Sequence, residues 1–185
     1  MLNSLQYLNF SEHMIEAIKF ALRYDPSPNP RVGAVLVDKN NKIKKITAHK
    51  EKDKDHAEYN LFKNSDITEN DTLYVTLEPC FHDDTSPSCA NAVLETNVQN
   101  IVVGDIDRDE RTNGKGIELL KNNDLNVSIE NGVNDFLNPG YKMRNDKPYL
   151  IGKVATSADH IMYNEKKKYI TCLLYTSDAA DDRVS

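Results

Sequence analysis

The stretch from Asp55 to Ala90 decides how this chain is organised. It opens with His56-Ala57-Glu58, continues to Thr76-Leu77-Glu78-Pro79-Cys80 and closes with Cys89-Ala90. An imidazole, a carboxylate and two thiols therefore follow one another in an order that suits a metal with an acid or base beside it. A catalytic zinc ion takes three protein ligands, commonly histidine and cysteine, and keeps its fourth position for water. The pattern predicts a zinc site whose ligands are His56, Cys80 and Cys89.

Glu58 follows the predicted histidine ligand by two residues and is the candidate catalytic residue. A carboxylate in this place would take a proton from the attacking water and later deliver one to a leaving amine. A His-x-Glu element followed by Pro-Cys and a second cysteine is the signature of zinc deaminases that act on nucleobase rings. Here eight residues separate Cys80 from Cys89, where the general signature has two.

Simpler interpretations exist for each part of this pattern. A lone His-x-Glu at a helix start is usually a charge pattern, and two cysteines alone are usually small buried hydrophobes. A closed structural zinc site is a further alternative, with His82 as the fourth ligand. That alternative leaves Glu58 without a purpose, and the combination of all the elements favours the deaminase site.

Composition limits the classes of function. The 185 residues suffice for one α/β domain and the beginning of a second. A net charge of -6 argues against a non-specific nucleic-acid binder. Three cysteines do not form a disulfide framework, so we expect a reducing, cytoplasmic location. The first ten residues carry neither a signal peptide nor a spanning segment, so we expect no membrane partner.

Hydrophobic periodicity predicts alternating helices and strands after residue 10. Three prolines between Asp25 and Pro30 end the first helix, and Asp55 is a plausible N-cap for the second. The predicted helices cover 12–24, 56–63, 89–96, 116–121 and 133–143, and the predicted strands cover 33–38, 43–48, 73–77, 101–104 and 125–129. The fold class expected from this order is α/β, a three-layer αβα sandwich around a mixed, mostly parallel sheet.

The chain resembles the deaminase domain of the bacterial bifunctional riboflavin-biosynthesis deaminase/reductase from about Phe10 to Thr171. The matching elements are Asn29-Pro30-Arg31-Val32-Gly33-Ala34-Val35-Leu36-Val37, His56-Ala57-Glu58, Leu77-Glu78-Pro79-Cys80-Phe81-His82, Cys89 and Gly114-Lys115-Gly116. The eight-residue gap between the cysteines fits this family, whereas cytidine and tRNA adenosine deaminases usually have two. The resemblance implies a cytidine-deaminase-like fold.

The resemblance also implies the reaction and its partner, a small pyrimidine ribotide. The expected activity is that of a diaminohydroxyphosphoribosylaminopyrimidine deaminase. It converts 2,5-diamino-6-ribosylamino-4(3H)-pyrimidinone 5′-phosphate to 5-amino-6-(5-phosphoribosylamino)uracil by removing the ring C2 amine. One alternative is a nucleic-acid or nucleoside base deaminase, which the net negative charge of the chain disfavours. The other is a non-catalytic zinc-stabilised domain. A homo-oligomer is compatible with the sequence, which does not fix the oligomeric state.

Three substrate-binding residues are implied by the resemblance. Asn29, His49 and Asp107 match an asparagine, a histidine and an aspartate that line the family's substrate pocket. From the residues alone they would be a turn residue, a strand-end histidine and a loop carboxylate. The sequence departs from the family between the two cysteines, where it has Asp83-Asp84-Thr85. In the family a basic residue occupies the position of Thr85. Two aspartates there would repel a phosphate, so we expect weakened or shifted substrate binding.

The C-terminal part is expected to fall into two pieces beyond a deaminase domain at residues 1–145. Residues 146–171 resemble the opening segment of the family's NADPH-dependent reductase domain, so we predict neither reductase activity nor NADPH binding in this chain. Residues 172–185 resemble translated adapter sequence and are predicted to be a non-native tail.

Overall fold

The structure, a computed structural model, describes residues 10–82 and 87–141. Five helices and five strands alternate through this part of the chain. They are α1 (Glu12–Ala21), β1 (Gly33–Val37), β2 (Ile43–Ala48), α2 (Ala57–Phe62), β3 (Thr72–Val75), α3 (Cys89–Leu94), β4 (Asn100–Val103), α4 (Lys115–Asn122), β5 (Asn126–Ile129) and α5 (Val133–Leu137).

The strands form one mixed sheet in the order β2-β1-β3-β4-β5. Strand β1 pairs antiparallel with both β2 and β3, while β3, β4 and β5 pair in parallel. Four of the five strands therefore run in the same direction and β1 runs against them. Strands β1 and β2, which are consecutive in the chain, form a hairpin whose register brings Gly33 opposite Ala48.

Helices cover both faces of the sheet. Side chains on strands alternate between the two faces, so Leu36 and Val35 of β1 enter different cores. On one face, α2, α3 and α4 pack on the sheet through buried residues that include Leu61, Val93 and Leu120. On the other face, α1 and α5 meet in a second cluster. This arrangement confirms the expected three-layer αβα sandwich.

Helix α1 begins and packs as its sequence predicts. The Ser11 side chain caps it by accepting a hydrogen bond from the Met14 backbone N–H. It ends at Ala21, three residues earlier than the periodicity indicated. Its buried face lies so close to β1 that a Cβ atom on Gly33 would stand 2.2 Å from the carbonyl oxygen of Ala17. Only glycine permits this approach of helix and strand.

The predicted N-cap of α2 is wrong. His56, and not Asp55, is the N-cap residue, and its side chain makes no capping hydrogen bond. The Asp55 carboxylate instead pairs with Lys63 at 2.6 Å. The start of α2 therefore leaves the imidazole of His56 available for other contacts.

The chain divides into two units, Met1–Arg144 and Asn145–Ser185. The second unit lies outside the described residues, as do the segments expected at 146–171 and 172–185, so those assignments stay predictions. Among the described residues, none of the helices has the length and apolar character needed to cross a membrane.

A Gly33→Ala variant should lose stability, because the new methyl group would meet the backbone oxygen of Ala17, which cannot move without the helix. We expect the free energy of unfolding to fall by about 1–3 kcal/mol. Thermal unfolding, followed by circular dichroism, would measure the loss of stability. Each kcal/mol should lower Tm by roughly 2–4 °C. Lys39→Ala, in the exposed turn after β1, is the control and should leave Tm unchanged. An equal Tm for the two variants would contradict the close packing of α1 on β1.

Candidate active site

One pocket lies where β3 and β4 end and where α2 and α3 begin. Ligands of α/β proteins commonly bind at this edge, outside the carboxyl ends of parallel strands. The pocket holds about 640 Å³ of space not filled by atoms, including its open mouth. Its described lining residues are Asn29, Pro30, Val32, His49, His56, Glu58, Leu77, Glu78, Cys80, His82, Asp107, Asp109, Arg111 and Tyr141.

The three predicted metal ligands converge beside this pocket from three different elements. His56 stands at the start of α2, Cys80 follows β3, and Cys89 opens α3. The His56 Nδ1 atom lies 3.2 Å from the Cys89 sulfur and 3.6 Å from the Cys80 sulfur. All three ligand atoms lie within 4.8 Å of one another.

These distances fit a tetrahedral zinc ion. Zinc–sulfur bonds of about 2.3 Å and zinc–nitrogen bonds of about 2.0 Å place neighbouring ligands about 3.5 to 3.8 Å apart. The observed nitrogen–sulfur separations of 3.2 and 3.6 Å are close to that range. One imidazole and two thiols are also the donor types that zinc prefers. The geometry thus allows three protein ligands and leaves a fourth position toward the pocket.

The two thiols are electrostatically unequal neighbours. The Cys89 side chain hydrogen-bonds the Cys80 sulfur and lowers the pKa of Cys80 to about 4, an effect that His56 reinforces. The Cys89 backbone N–H also donates to the Cys80 sulfur at 3.2 Å. The pKa of Cys89, in contrast, is raised well above the usual range by its hydrogen bond with Cys80 and by burial. A divalent cation between them would favour the thiolate of both residues.

Glu58 lies in the first turn of α2 and is almost wholly buried, with 3% of its surface exposed. Burial raises the pKa of Glu58 to about 7, while the charge of His56 acts in the opposite direction. Its carboxyl group lines the same pocket as His56 and Cys80. The structure therefore places this carboxyl beside the three candidate ligands and toward the cavity that a substrate would enter.

Two of the three implied substrate residues form a hydrogen-bonded pair beside His56, whose ring centroid lies 5.2 Å from that of His49. The Asp55 carbonyl oxygen lies 3.2 Å from His49 Nδ1, and because a carbonyl only accepts, Nδ1 carries the proton. The other ring nitrogen of His49 then accepts from the Asn29 amide at 3.2 Å. Burial lowers the pKa of His49, so the ring is neutral near pH 7. Asn138 holds this wall through the backbone of Arg31, to which it both donates and accepts.

Asp107, the third implied substrate residue, lines the pocket from the loop after β4. Its side chain accepts from the Asp109 backbone N–H at 2.8 Å. The Tyr141 hydroxyl also hydrogen-bonds this carboxylate. Burial raises the pKa of Asp107, and the charge of Asp109 adds to the shift. All three residues named by the resemblance thus share one pocket with the candidate metal ligands, while their roles toward a substrate stay predictions.

Glu78 holds the loop that carries Asp107, a role the sequence did not reveal. Its buried carboxylate accepts three backbone N–H groups, from Asp107 at 3.0 Å, Gly114 at 2.8 Å and Ile117 at 3.1 Å. Gly116 allows this approach, because a Cβ atom there would lie 2.2 Å from the Pro79 carbonyl oxygen. Glu78 therefore fixes the loop after β4 and the start of α4 against the segment that presents Cys80.

His82 occupies the same pocket without joining the group of candidate ligands. Its Nδ1 atom lies 3.2 Å from the Thr112 hydroxyl, and the group with metal-binding geometry among the described residues is His56, Cys80 and Cys89. This geometry does not favour the closed four-ligand alternative. Asp83, Asp84 and Thr85, where the sequence departs from the family, lie outside the described residues.

Asp109, Arg111 and Tyr141 also line the pocket and were not predicted. The first two lie in a charged run, Asp107 to Arg111, that reads as a solvated loop by composition. The signal that marks this run in the sequence is its position, directly after a predicted strand and before Gly114-Lys115-Gly116. Tyr141 carries no comparable signal, because nothing local relates it to the central stretch.

Comparisons with known proteins agree with this geometry. A family described as "Cytidine and deoxycytidylate deaminase zinc-binding region" matches residues 9–105. The protein named diaminohydroxyphosphoribosylamino-pyrimidine deaminase of Buchnera aphidicola subsp. Schizaphis graminum is 33% identical over 120 residues, covering 63% of this chain and 81% of that protein. The RibD protein of Buchnera aphidicola subsp. Baizongia pistaciae is 32% identical over 168 residues, covering 86% of this chain and 45% of that protein.

A solved structure of Acinetobacter baumannii RibD matches the fold with a TM-score of 0.64 and 33% identity, covering 77% of this chain and 40% of that one. The chain thus spans most of the shorter Buchnera deaminase but less than half the length of these RibD proteins. It belongs to the zinc-binding cytidine and deoxycytidylate deaminase family, and its relatives there are the deaminases of riboflavin biosynthesis.

Proposed function

We propose that this chain hydrolyses the ring C2 amine of 2,5-diamino-6-ribosylamino-4(3H)-pyrimidinone 5′-phosphate. The products are 5-amino-6-(5-phosphoribosylamino)uracil and ammonia. The observation that carries the proposal is the convergence of His56, Cys80 and Cys89 within 4.8 Å of one another in the pocket that Glu58 lines. We assign the activity to residues 1–145, and because the reaction is a hydrolysis, NADPH takes no part in it.

His56, Cys80 and Cys89 would hold zinc, which when bound supplies a Lewis acid that makes water nucleophilic at neutral pH. Glu58 would take one proton from the attacking water, so that a new carbon–oxygen bond forms at ring C2. The same carboxyl would then deliver a proton to the amine, the carbon–nitrogen bond would break, and ammonia would leave. Glu58 ends in its starting state, since it gives back each proton that it accepts.

The neutral polar wall of the pocket suits the pyrimidine ring. The Asn29 amide and the neutral His49 ring are linked to each other, so their orientations are fixed before a ligand arrives. Fixed donors and acceptors can recognise the ring edge without reorganisation. Asp107 would act from the facing loop that Glu78 holds. Support for this substrate comes also from the names of the relatives and from the eight-residue gap between the cysteines.

A Glu58→Gln variant should bind zinc as the natural chain does and lose turnover by about 10²–10⁴-fold, because the amide cannot take a proton from water. Ammonia release and metal content of the same preparation would measure the two properties separately. Glu118→Gln is the matched control, since Glu118 is exposed on α4. Retained turnover in Glu58→Gln would refute the proposed proton transfer.

Removal of one ligand should empty the metal site. The natural chain is expected to carry about one zinc ion, and Cys89→Ala should retain far less, because two protein ligands hold zinc poorly. Metal analysis after dialysis would give both stoichiometries. Cys172→Ala, at a residue outside the described part, serves as the control and should keep its zinc. Equal zinc content in both variants would show that Cys89 is not a ligand.

Substrate class separates the proposal from its rivals. We expect kcat/KM for the pyrimidine ribotide to exceed that for cytidine or a tRNA anticodon stem by at least about a hundredfold, since neither carries its arrangement of ring groups. Ammonia release from each compound under identical conditions is the measurement. Turnover of the RNA alone would make the chain a nucleic-acid deaminase, and turnover of none would favour a zinc-stabilised domain without catalysis.

A further inference from the structure

The lining of the pocket is rich in negative charge, which is unfavourable for a phosphorylated ligand. Glu58, Glu78, Asp107 and Asp109 contribute four carboxyl groups. A phosphate monoester carries about -1.5 to -2 charges at pH 7, so it needs a cation at the place where it binds. Among the described lining residues, Arg111 is the single lysine or arginine.

Arg111 is held in a defined orientation. Its Nε and Nη2 atoms donate to the two oxygens of Asp109 at 3.1 and 2.9 Å, which is a two-pronged contact. Its backbone N–H donates to the same carboxylate at 3.1 Å. The Asp109 side chain is 8% exposed, while that of Arg111 is 56% exposed. The buried carboxylate therefore fixes a partly exposed guanidinium group in the lining of the pocket.

The other cations of this region are directed elsewhere. Arg108 pairs with Asp135 on α5. The Lys115 ammonium group donates to the backbone carbonyl of Glu110 at 2.9 Å. The Arg31 side chain donates to the Asp25 carboxylate and to the backbone carbonyl of Tyr24. None of these three residues belongs to the described lining of the pocket.

We propose that Arg111 binds the 5′-phosphate of the substrate and thereby selects the phosphorylated pyrimidine over its dephosphorylated form. This inference rests on the proposed function. Guanidinium has five N–H donors in a planar fork, and this fork matches the geometry of phosphate oxygens. The ring would lie at the inner end of the pocket beside Glu58, and the phosphate at the outer end beside the solvent.

Arg111 also offsets the charge departure noted in the sequence. The eight residues between Cys80 and Cys89 include two aspartates and one histidine but no lysine or arginine. A positive charge supplied from the loop after β4 would serve the same ligand group from a different segment. Glu78 gives this loop its fixed position, so the cation and the candidate zinc ligands are held by one framework.

The test compares the phosphorylated pyrimidine with its dephosphorylated counterpart as substrates of the natural chain and of Arg111→Gln. We expect kcat/KM for the phosphorylated compound to fall by about 10- to 100-fold, mainly through KM, because charge-assisted hydrogen bonds are lost. The value for the dephosphorylated compound should stay within about twofold. Arg108→Gln is the matched control, since it removes one charge from the same loop outside the pocket, and it should leave both substrates unchanged.

An equal loss on both substrates would make Arg111 a merely structural residue, and no loss on either would exclude phosphate binding by it; each result overturns the proposal. If the natural chain hydrolyses neither pyrimidine, the proposed function itself fails. Ribose 5-phosphate then decides on Arg111 separately, through the rise in Tm that it gives with the natural chain. The site is supported if ribose 5-phosphate raises the Tm of the natural chain and of Arg108→Gln but not that of Arg111→Gln. Any other pattern overturns it.

Discussion

The convergence of His56, Cys80 and Cys89 is the constraint on which the rest of the structure depends. These residues lie far apart in sequence, and their ligand atoms meet within 4.8 Å because β3 ends where α2 and α3 begin. Because β3 and β4 pair in parallel, their carboxyl ends lie side by side. The packing of α2 and α3 on one face of the sheet then fixes the starting points of the helices that carry the imidazole and the second thiol.

A second framework of hydrogen bonds fixes the opposite side of the pocket. The Glu78 carboxylate accepts from three backbone N–H groups, and the buried ones of Asp107 and Ile117 would each be costly to leave unpaired. Because Glu78 is two residues from Cys80, the same short segment presents a candidate metal ligand and anchors the loop of Asp107. The site is thus prepared before any ligand arrives, which is the arrangement that electrostatic catalysis requires.

The sequence predicted the layers and the three side chains that converge as candidate ligands, because both follow from local signals. Hydrophobic period located the ends of the helices and strands to within three residues, except that α5 ends at Leu137 and not at 143. The spacing of the histidine and the cysteines indicated one metal. The N-cap of α2 was missed, because Asp55 pairs with Lys63 instead of capping. The hydrogen bonds of Glu78 and the position of Arg111 in the pocket lining were missed for a different reason. They depend on the path of the loop after β4, and no period or motif encodes which backbone groups such a loop turns inward.

The most direct test of the central claim is X-ray absorption at the zinc edge of the purified chain. A catalytic centre of the kind described predicts two sulfur atoms at about 2.3 Å, and one imidazole with one further light atom at about 2.0 Å. Two imidazoles beside two sulfurs would indicate a closed structural site that includes a histidine such as His82. A shell without sulfur would contradict the assignment of Cys80 and Cys89 altogether.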